Sequence, residues 1–264
     1  MKLTTRLAAL ALTAAVSVAA LPAAPASASG WTTIVDDQFT TSGVPAHWSV
    51  YNGPYGSGAH NCAAPSQVQV PGDGYLHLKM EYLSAGNWCS SNTAAWFTGG
   101  MQISSASGYR SNSTGDQAVE VRFRIVRDDT SGVVRSHFIV PMQWPTTGTG
   151  YGGEADYCEG GSSLTGCTTF LHYNTGSSTV QHSYTGLDLS QWTTIRAERL
   201  NHQVDVFIDG TLKWTYVGDS TTLPDKVLAT VLQQECPSGG CPAAGYAAYS
   251  EDIQIDYVKI DNPA

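Results

Sequence analysis

The chain has 264 residues and a formal net charge of −9 at pH 7, with 22 acidic against 13 basic residues. This charge disfavours nucleic acid and anionic membranes as partners and weakly disfavours strongly anionic polysaccharides, so a neutral substrate is expected. Pro, Gly and Ser are spread along the chain, and no segment repeats at a fixed period. We therefore predict no linker and no repeat architecture.

Residues 1–28 have the features of a secretion signal peptide. Lys2 and Arg6 precede the apolar stretch "LAALALTAAVSVAAL", and Ala26-Ser27-Ala28 offers a small-residue cleavage site. A transmembrane helix is the alternative, but the stretch is short and is followed by two prolines. We predict a secreted, soluble protein whose formal charge, without Lys2 and Arg6, becomes −11.

Six cysteines in an exported chain favour disulfides over metal ligation, because no paired CxxC with zinc spacing is present. Sequence proximity suggests three local pairs, although six cysteines allow 15 connectivities. The expected pairs are Cys62 with Cys89, Cys158 with Cys167 and Cys236 with Cys241.

Strand signals then recur along residues 29–264, which we predict to form a single domain. The segments "YLHLKMEY", "AVEVRFRI" and "VDVFIDG" alternate apolar and polar residues with period two. Asp209-Gly210 and Asp73-Gly74 each separate two strand-like segments, as two-residue hairpin turns do. No long helical period is present, so an all-β fold is expected: a concanavalin A-like β-jelly-roll sandwich of two antiparallel sheets.

The segment "YGGEADYCEGG" places Glu154, Asp156 and Glu159 within six positions. In a regular strand Glu159 would face away from the other two carboxylates. A β-bulge at Tyr157 or Cys158 would bring all three onto one face. Two carboxyl groups about 5 Å apart are what a retaining glycosidase requires, and a third between them can tune their ionisation.

The segment "GEADYCEG" resembles the Glu-x-Asp-x-x-Glu signature of glycoside hydrolase family 16, in the bulged form of laminarinase-like members. Four further segments resemble strands of that family, so that the resemblance covers nearly all of the mature chain: "VDDQFTTSGVPAHWSVYNG", "VEVRFRI...HFIVPMQWP", "SQWTTIRAERLNHQVDVFIDG" and "DYVKI". It implies a jelly-roll sandwich with an open cleft and retaining endo-hydrolysis of β-linked glucans or galactans, with a β-1,3- or mixed β-1,3/1,4-glucan as the first expectation.

By the same resemblance, Glu154 is the nucleophile, Glu159 the acid/base, and Asp156 the residue that tunes them. A disulfide between Cys158 and Cys167 would fix the strand next to the acid/base. A solvated acidic strand and a calcium site are the alternatives for these carboxylates.

The resemblance also points to four substrate-binding residues, each with a structural alternative. Trp144 corresponds to an aromatic platform for a sugar ring, or belongs to the core. His172 corresponds to a histidine near the nucleophile, or is structural. Gln234, with Glu235, resembles polar cleft residues, or belongs to a loop held by Cys236 and Cys241. Arg199 stands where family members commonly have tryptophan, which would change a subsite platform to a cationic one.

Two other functions remain open at this stage: a non-catalytic carbohydrate-binding module, and a polysaccharide lyase on a similar sandwich. A binding module would not need all three acids, and a lyase would prefer a basic site. We expect no cofactor, although a structural calcium ion is compatible with the sequence. The expected partner is a polysaccharide substrate, with no nucleic acid or membrane, and the protein is expected to be a monomer.

Overall fold

The computed structural model describes residues 30–54, 61–83, 95–129, 136–146, 152–161, 163–174, 178–235 and 249–264. The predicted signal peptide, residues 1–28, lies outside the described residues. In these ranges, no helix has the length and hydrophobicity that crossing a membrane requires.

The regular elements of the described residues are β-strands, together with one short 3-10 turn at Pro65–Gln67. In chain order the strands are β1 (Trp31–Asp37), β2 (Trp48–Val50), β3 (Gly53–Pro54), β4 (Asn61–Ala63), β5 (Val68–Gln69), β6 (Leu76–Leu83), β7 (Ala95–Thr98), β8 (Gly100–Ile103), β9 (Gln117–Asp129), β10 (His137–Pro145), β11 (Ala155–Gly160), β12 (Gly166–Tyr173), β13 (Ser178–Thr185), β14 (Thr193–Leu200), β15 (Gln203–Ile208), β16 (Thr211–Val217), β17 (Leu228–Glu235) and β18 (Tyr249–Pro263).

These strands form two sheets. The large sheet has the order β16-β15-β14-β9-β18-β6-β7-β4-β3, with β1 added to β18 and β5 to β6. The small sheet has the order β13-β12-β11-β10-β17-β8-β2. Paired strands are antiparallel except β4 and β7, which are parallel. The predicted all-β jelly-roll sandwich is thus confirmed, with one parallel pair in an otherwise antiparallel arrangement.

One hydrophobic core lies between the two sheets. Period-two alternation places Val119, Val121, Phe123 and Ile125 of β9 in this core, as the sequence predicts. From the small sheet, Phe138 of β10 meets Phe123 with ring centroids 6.4 Å apart. Burying these faces against each other supplies the main drive to form the sandwich.

The two predicted hairpin turns have different outcomes. Asp209 and Gly210 both have positive φ, 48° and 73°, and the residues that flank them pair directly, as in a two-residue turn. At Asp73-Gly74 the predicted hairpin is present, but the predicted two-residue turn is wrong. There β5 and β6 pair as a hairpin, but the positive φ angles are those of Gly72 and Gly74, within a longer connection.

Of the predicted disulfides, Cys158–Cys167 is present, with 5.2 Å between the Cα atoms. It joins β11 to β12. Cys62 is also disulfide-bonded. Cys89, Cys236 and Cys241 lie outside the described residues, so the other two predicted pairs stay predictions.

Candidate active site

Strand β11 contains the bulge that the spacing of the carboxylates predicts. Its register with β12 shifts between Asp156 and Glu159, where three residue steps on β11 match two on β12. The extra residue allows Tyr157 and Cys158 both to lie in the core. Asp156 and Glu159 therefore share the opposite face of the small sheet, which we call the site face.

A second irregularity lies beside the first, on β10. The register of β10 with β17 shifts between Ile139 and Met142. The same two residues lie opposite Glu159 and Asp156 on β11. The cis peptide bond Val140–Pro141 lies in this stretch. β10 and β11 thus stay in register with each other. In this stretch β10 has one residue more than β17, and β11 has one residue more than β12.

Glu154, Asp156 and His172 form the first group of titratable side chains on the site face. One polar atom from each lies within 4.8 Å of the others. His172 Nε2 is 3.1 Å from Asp156 Oδ2. Glu154 is 7% exposed and Asp156 only 1%. This confirms that the bulged motif brings its first two carboxylates together beside a histidine of β12.

Burial and mutual repulsion favour protonated carboxyls in this group. Burial, with the charge of Asp156 second, raises the pKa of Glu154 to about 9. Burial and then Glu159 raise the pKa of Asp156 well above its usual range. Like charges this close resist ionising together, so Glu154 and Asp156 behave as a pair that shares a proton near neutral pH.

Glu159, His137 and Glu235 form a second group, which we call the Glu159–His137–Glu235 group. His137 Nε2 is 2.6 Å from Glu159 Oε1, and His137 Nδ1 is 2.9 Å from Glu235 Oε1. Burial opposes the charge on His137, but the two carboxylates outweigh it and raise its pKa to about 10. The imidazole is therefore a cation at neutral pH, between two carboxylates.

A buried ion pair from the large sheet supports this region from the core side. Arg127 Nε donates to Glu251 Oε2 over 2.6 Å. Arg127 Nη2 donates to Ser136 Oγ and to the Gly161 carbonyl, and Gln234 Nε2 donates to Glu251 Oε1. These contacts tie β10, the end of β11 and β17 to the large sheet.

Trp144 and His172 lie on the site face. Trp144 is partly buried and packs against Ile139, Met142 and Val231. This cluster lies on the same side of the small sheet as Asp156. His172 lies beside Asp156. Both positions are compatible with the substrate-binding roles that the resemblance implies, and those roles stay predictions.

Gln234 does not lie on the site face, so its predicted role there is not supported. Its side chain is 1% exposed and donates to Glu251 across the core. Its neighbours Gln233 and Glu235 lie opposite Ile139 and His137 on β10, and these two point to the site face. Side chains alternate along a strand, so Gln234 must point the other way. Nor does Glu235 belong to a loop, since it is the last residue of β17.

Arg199 does not lie in the cleft either. It is 1% exposed, and its guanidinium donates to the Pro224 carbonyl over 2.7 Å. It belongs to β14 of the large sheet and lies close enough to Gly115 that an added Cβ there would come within 3.0 Å of its Nε. A buried guanidinium cannot form a platform for a sugar, so the predicted cationic subsite is wrong.

Two site-face residues were missed from the sequence: His137 and Gln233. His137 precedes the bulge of β10. Gln233 lies in β17, "LATVLQQE", which is buried on both faces, so alternation gives no phase. The signal that could have found them is the register with β11, because residues two positions from Ile139 along β10 share its face.

One group among the described residues has the spacing of metal ligands, namely Glu154, Asp156 and His172. Calcium takes six to eight oxygen ligands. Two carboxylates and an imidazole do not supply such a set, so the alternative of a calcium site at the motif is not favoured.

No family model matches the chain, and no curated protein sequence matches it. Solved structures do match over most of its length. SCLam, a non-specific endo-β-1,3(4)-glucanase from glycoside hydrolase family 16, is 17% identical over 89% of this chain and 92% of its own, with a TM-score of 0.70. An endo-1,3-β-glucanase from Streptomyces sioyaensis is 18% identical over 90% and 98%, with a TM-score of 0.70. An endo-β-1,3-glucanase from Pyrococcus furiosus is 16% identical over 89% and 95%, with a TM-score of 0.68.

The two packed sheets and the bulged carboxylate motif define a jelly-roll protein with a clustered acidic site. More particularly, the chain has the laminarinase-like fold of glycoside hydrolase family 16. At these identities the likeness establishes the fold.

Proposed function

We propose that the protein is a secreted, retaining endo-glycosidase that hydrolyses a β-1,3- or mixed β-1,3/1,4-glucan. The observation that carries the proposal is the bulge in β11, which brings Asp156 and Glu159 to one face beside Glu154. The bulge interrupts the regular pairing of β11 with β12 between Asp156 and Glu159. It does produce the clustered carboxylates that double displacement requires.

In this mechanism Glu154 attacks the anomeric carbon and Glu159 protonates the leaving oxygen, then activates water. Glu154 must be a carboxylate for the attack, so the proton shared with Asp156 has to reside on Asp156. The complete burial of Asp156 favours its neutral form. His172, 3.1 Å from Asp156, orients that carboxyl.

Three further features support a neutral β-glucan as the substrate. The net charge is strongly negative, the site face carries four carboxylates, and Trp144, which is only partly buried, lies on the same face. An aromatic face suits the apolar face of a pyranose. In addition, a mutant of SCLam holds 1,3-β-D-cellobiosyl-glucose at its active site, in a fold that this chain shares.

Export, a monomeric state and the absence of a cofactor are parts of the same proposal. Double displacement needs only two carboxyl groups and water. Residues 1–28 supply the signal for export. Cell fractionation and sedimentation analysis of the mature protein test the first two.

The test of the function is reducing-sugar release from laminarin, lichenan, agarose and xyloglucan by the mature protein. Glu154→Gln and Glu159→Gln are each expected to abolish turnover and to leave the fold intact by circular dichroism. Glu81→Gln, on β6 of the large sheet, is the matched control and should leave activity unchanged. Retention of configuration is checked by NMR of the first-formed products.

Each contrary outcome points to a different correction. Full activity of Glu154→Gln would refute the assigned roles. Binding to one polymer without release of sugar would favour a carbohydrate-binding module. Products that absorb in the ultraviolet would indicate a lyase.

A further inference from the structure

The Glu159–His137–Glu235 group uses both nitrogens of one imidazole. Its bond lengths of 2.6 and 2.9 Å are those of charge-assisted hydrogen bonds. All three side chains are about one-fifth exposed, so the group lies at the edge of the site, partly open to solvent. The nucleophile and its neighbour Asp156 are more deeply buried.

Strand register explains how the three side chains meet. His137 lies directly opposite Glu235 in the pairing of β10 with β17. Glu159 lies opposite Ile139, two residues along β10 on the same face as His137. A diagonal neighbour at this distance is within reach of a long side chain. The bulge that brings Glu159 to the site face therefore also brings it to His137.

The core side of the same three strands is fixed independently. Ser136 precedes His137, Gln234 precedes Glu235, and Gly161 follows Glu159 by two residues. All three are bonded to the Arg127–Glu251 ion pair. Glu251 is fully buried, so this support is not easily displaced by water. The backbone beneath the Glu159–His137–Glu235 group is held by side chains that face the core.

This arrangement bears on the proton that the proposed reaction needs. A general acid must hold a proton before the glycosidic bond breaks. Glu159 Oε1 accepts a charge-assisted hydrogen bond from the His137 imidazolium. The nearest proton is therefore on His137 Nε2, 2.6 Å from Glu159 Oε1.

We propose that His137 stores the proton that Glu159 delivers to the leaving oxygen, and that Glu235 holds His137 in place and keeps it charged. The proposal rests on the proposed glycosidase function and extends it to two positioning residues. Neither was identified as catalytic from the sequence motif.

The proton transfers balance as follows from the resting state, in which Glu159 and Glu235 are carboxylates and His137 is an imidazolium. The Nε2–H bond of His137 breaks, the electron pair stays on nitrogen, and an O–H bond forms on Glu159. His137 is then neutral, and its Nδ1–H still donates to Glu235. Glu159 next gives this proton to the glycosidic oxygen, whose bond to the anomeric carbon breaks as Glu154 attacks that carbon. In the second half-reaction the attacking water gives a proton to Glu159. Glu159 then passes this proton to His137 Nε2, which restores the resting state.

Other described titratable groups face the group from each neighbouring strand or loop. Asp156 and Glu154 lie on the β11 side, and His172 lies beyond them on β12. Tyr51, which follows β2, is close to Glu235, and burial followed by that charge raises the pKa of its phenol. The Glu154–Asp156 pair shares one proton and so carries a net negative charge, whose field favours the proton on His137 in the resting site.

The first test is the charge of His137, which does not depend on finding the substrate. Long-range proton–nitrogen NMR correlations distinguish an imidazolium from a neutral ring, and the His137 signal is assigned by its loss in His137→Gln. We expect an imidazolium at pH 8, and in Glu235→Gln a titration at lower pH. A neutral His137 at pH 8 in the unmodified protein would overturn the proposal.

The second test separates proton delivery from a merely structural role. His137→Gln is expected to lower kcat/KM on laminarin about 10- to 100-fold, as loss of part of general-acid catalysis does. On 2,4-dinitrophenyl β-laminaribioside, whose leaving group needs little protonation, it should change kcat/KM less than about threefold. The basic limb of the pH profile should move to lower pH in His137→Gln, and less far in Glu235→Gln.

The same assays distinguish failure of this proposal from failure of the glycosidase function. Glu159→Gln is the reference variant. Because it lacks the general acid itself, its loss of kcat/KM must be larger for the polymer than for the dinitrophenyl substrate. If Glu159→Gln shows that dependence and both His137→Gln and Glu235→Gln do not, the proton store is refuted and the function stands. If the unmodified protein hydrolyses neither substrate, both proposals fail. Should His137→Gln not fold, Glu235→Gln gives the same readout.

Discussion

Tyr157 and Cys158 are consecutive residues of one strand, yet both side chains lie in the core. Tyr157 donates to Gln143 Oε1 over 2.5 Å, and Cys158 forms the disulfide with Cys167. Each of the two has its own bond on the core side, which fixes the bulge from within. The orientation of Asp156 and Glu159 follows from these two contacts.

The disulfide is expected to stabilise the fold by about 2.5 kcal/mol, since it closes a loop with a sequence separation of 9. Cys158→Ala combined with Cys167→Ala should lower the free energy of unfolding by that amount in urea titrations. A loss below about 0.5 kcal/mol would show that the core contacts alone hold the bulge.

Glu154→Gln is expected to stabilise the protein increasingly as the pH rises. From about pH 4.5 to about 9 the unfolded chain ionises both Glu154 and Asp156, while the folded pair retains the proton that the two carboxyls share. The folded state then binds more protons, so stability falls with pH, and the glutamine removes this loss. We expect a gain of at least about 1 kcal/mol at pH 8 and little at pH 4.5, measured by thermal unfolding.

Glu81→Gln serves as the control for this pH dependence. It removes a carboxylate from β6, where its backbone pairs in the large sheet away from the site. Its stability change at each pH is the baseline for comparison. A change for Glu154→Gln that follows this baseline at every pH would contradict the shared proton between Glu154 and Asp156.

Glu251→Gln is expected to cost about 3–5 kcal/mol, because it leaves the Arg127 guanidinium buried without its counter-charge. The control is Asp256→Asn, whose ion pair with Arg122 is about one-third exposed and should contribute less than about 1 kcal/mol. Urea titration of both variants decides the matter. If both variants lost the same free energy of unfolding, the difference in burial between the two ion pairs would have no energetic effect, contrary to this prediction.

Trp144→Ala is expected to raise KM for the polymer about tenfold, which is about 1.4 kcal/mol of binding, and to leave kcat within a few-fold. Trp144→Phe keeps an aromatic face and should retain most of the affinity. Steady-state kinetics on the preferred polymer, with thermal unfolding beside it, provide the measurement. A fall in kcat at constant KM would place Trp144 outside substrate binding.

Much of the framework was predictable because period-two patterns determine which residues are buried. The alternation in β9 identified Val119 and Phe123 as core residues, and the five-residue spacing of Glu154 and Glu159 required a bulge. In β9 the hydrophobic pattern indicates which residues face the core, and in β11 the positions of the charged residues do so.

The errors arose where the sequence carries no phase. β17 is buried on both faces, so Gln233, Gln234 and Glu235 could not be assigned to faces without the register with β10. Arg199 was placed in the cleft because it stands where family members commonly have tryptophan, but in this structure it is buried on β14. His137 became visible as a site residue only when two bulged strands were placed side by side.

The matched bulges of β10 and β11 restrict how this region can change during evolution or engineering. Removing one residue from 140–141 alone would reverse the facing of every β10 residue on one side of the deletion, relative to Asp156 and Glu159. The same holds for residues 157–158. Shortened relatives with working sites should therefore lack a residue in both strands or in neither, so that insertions and deletions here are inherited in pairs.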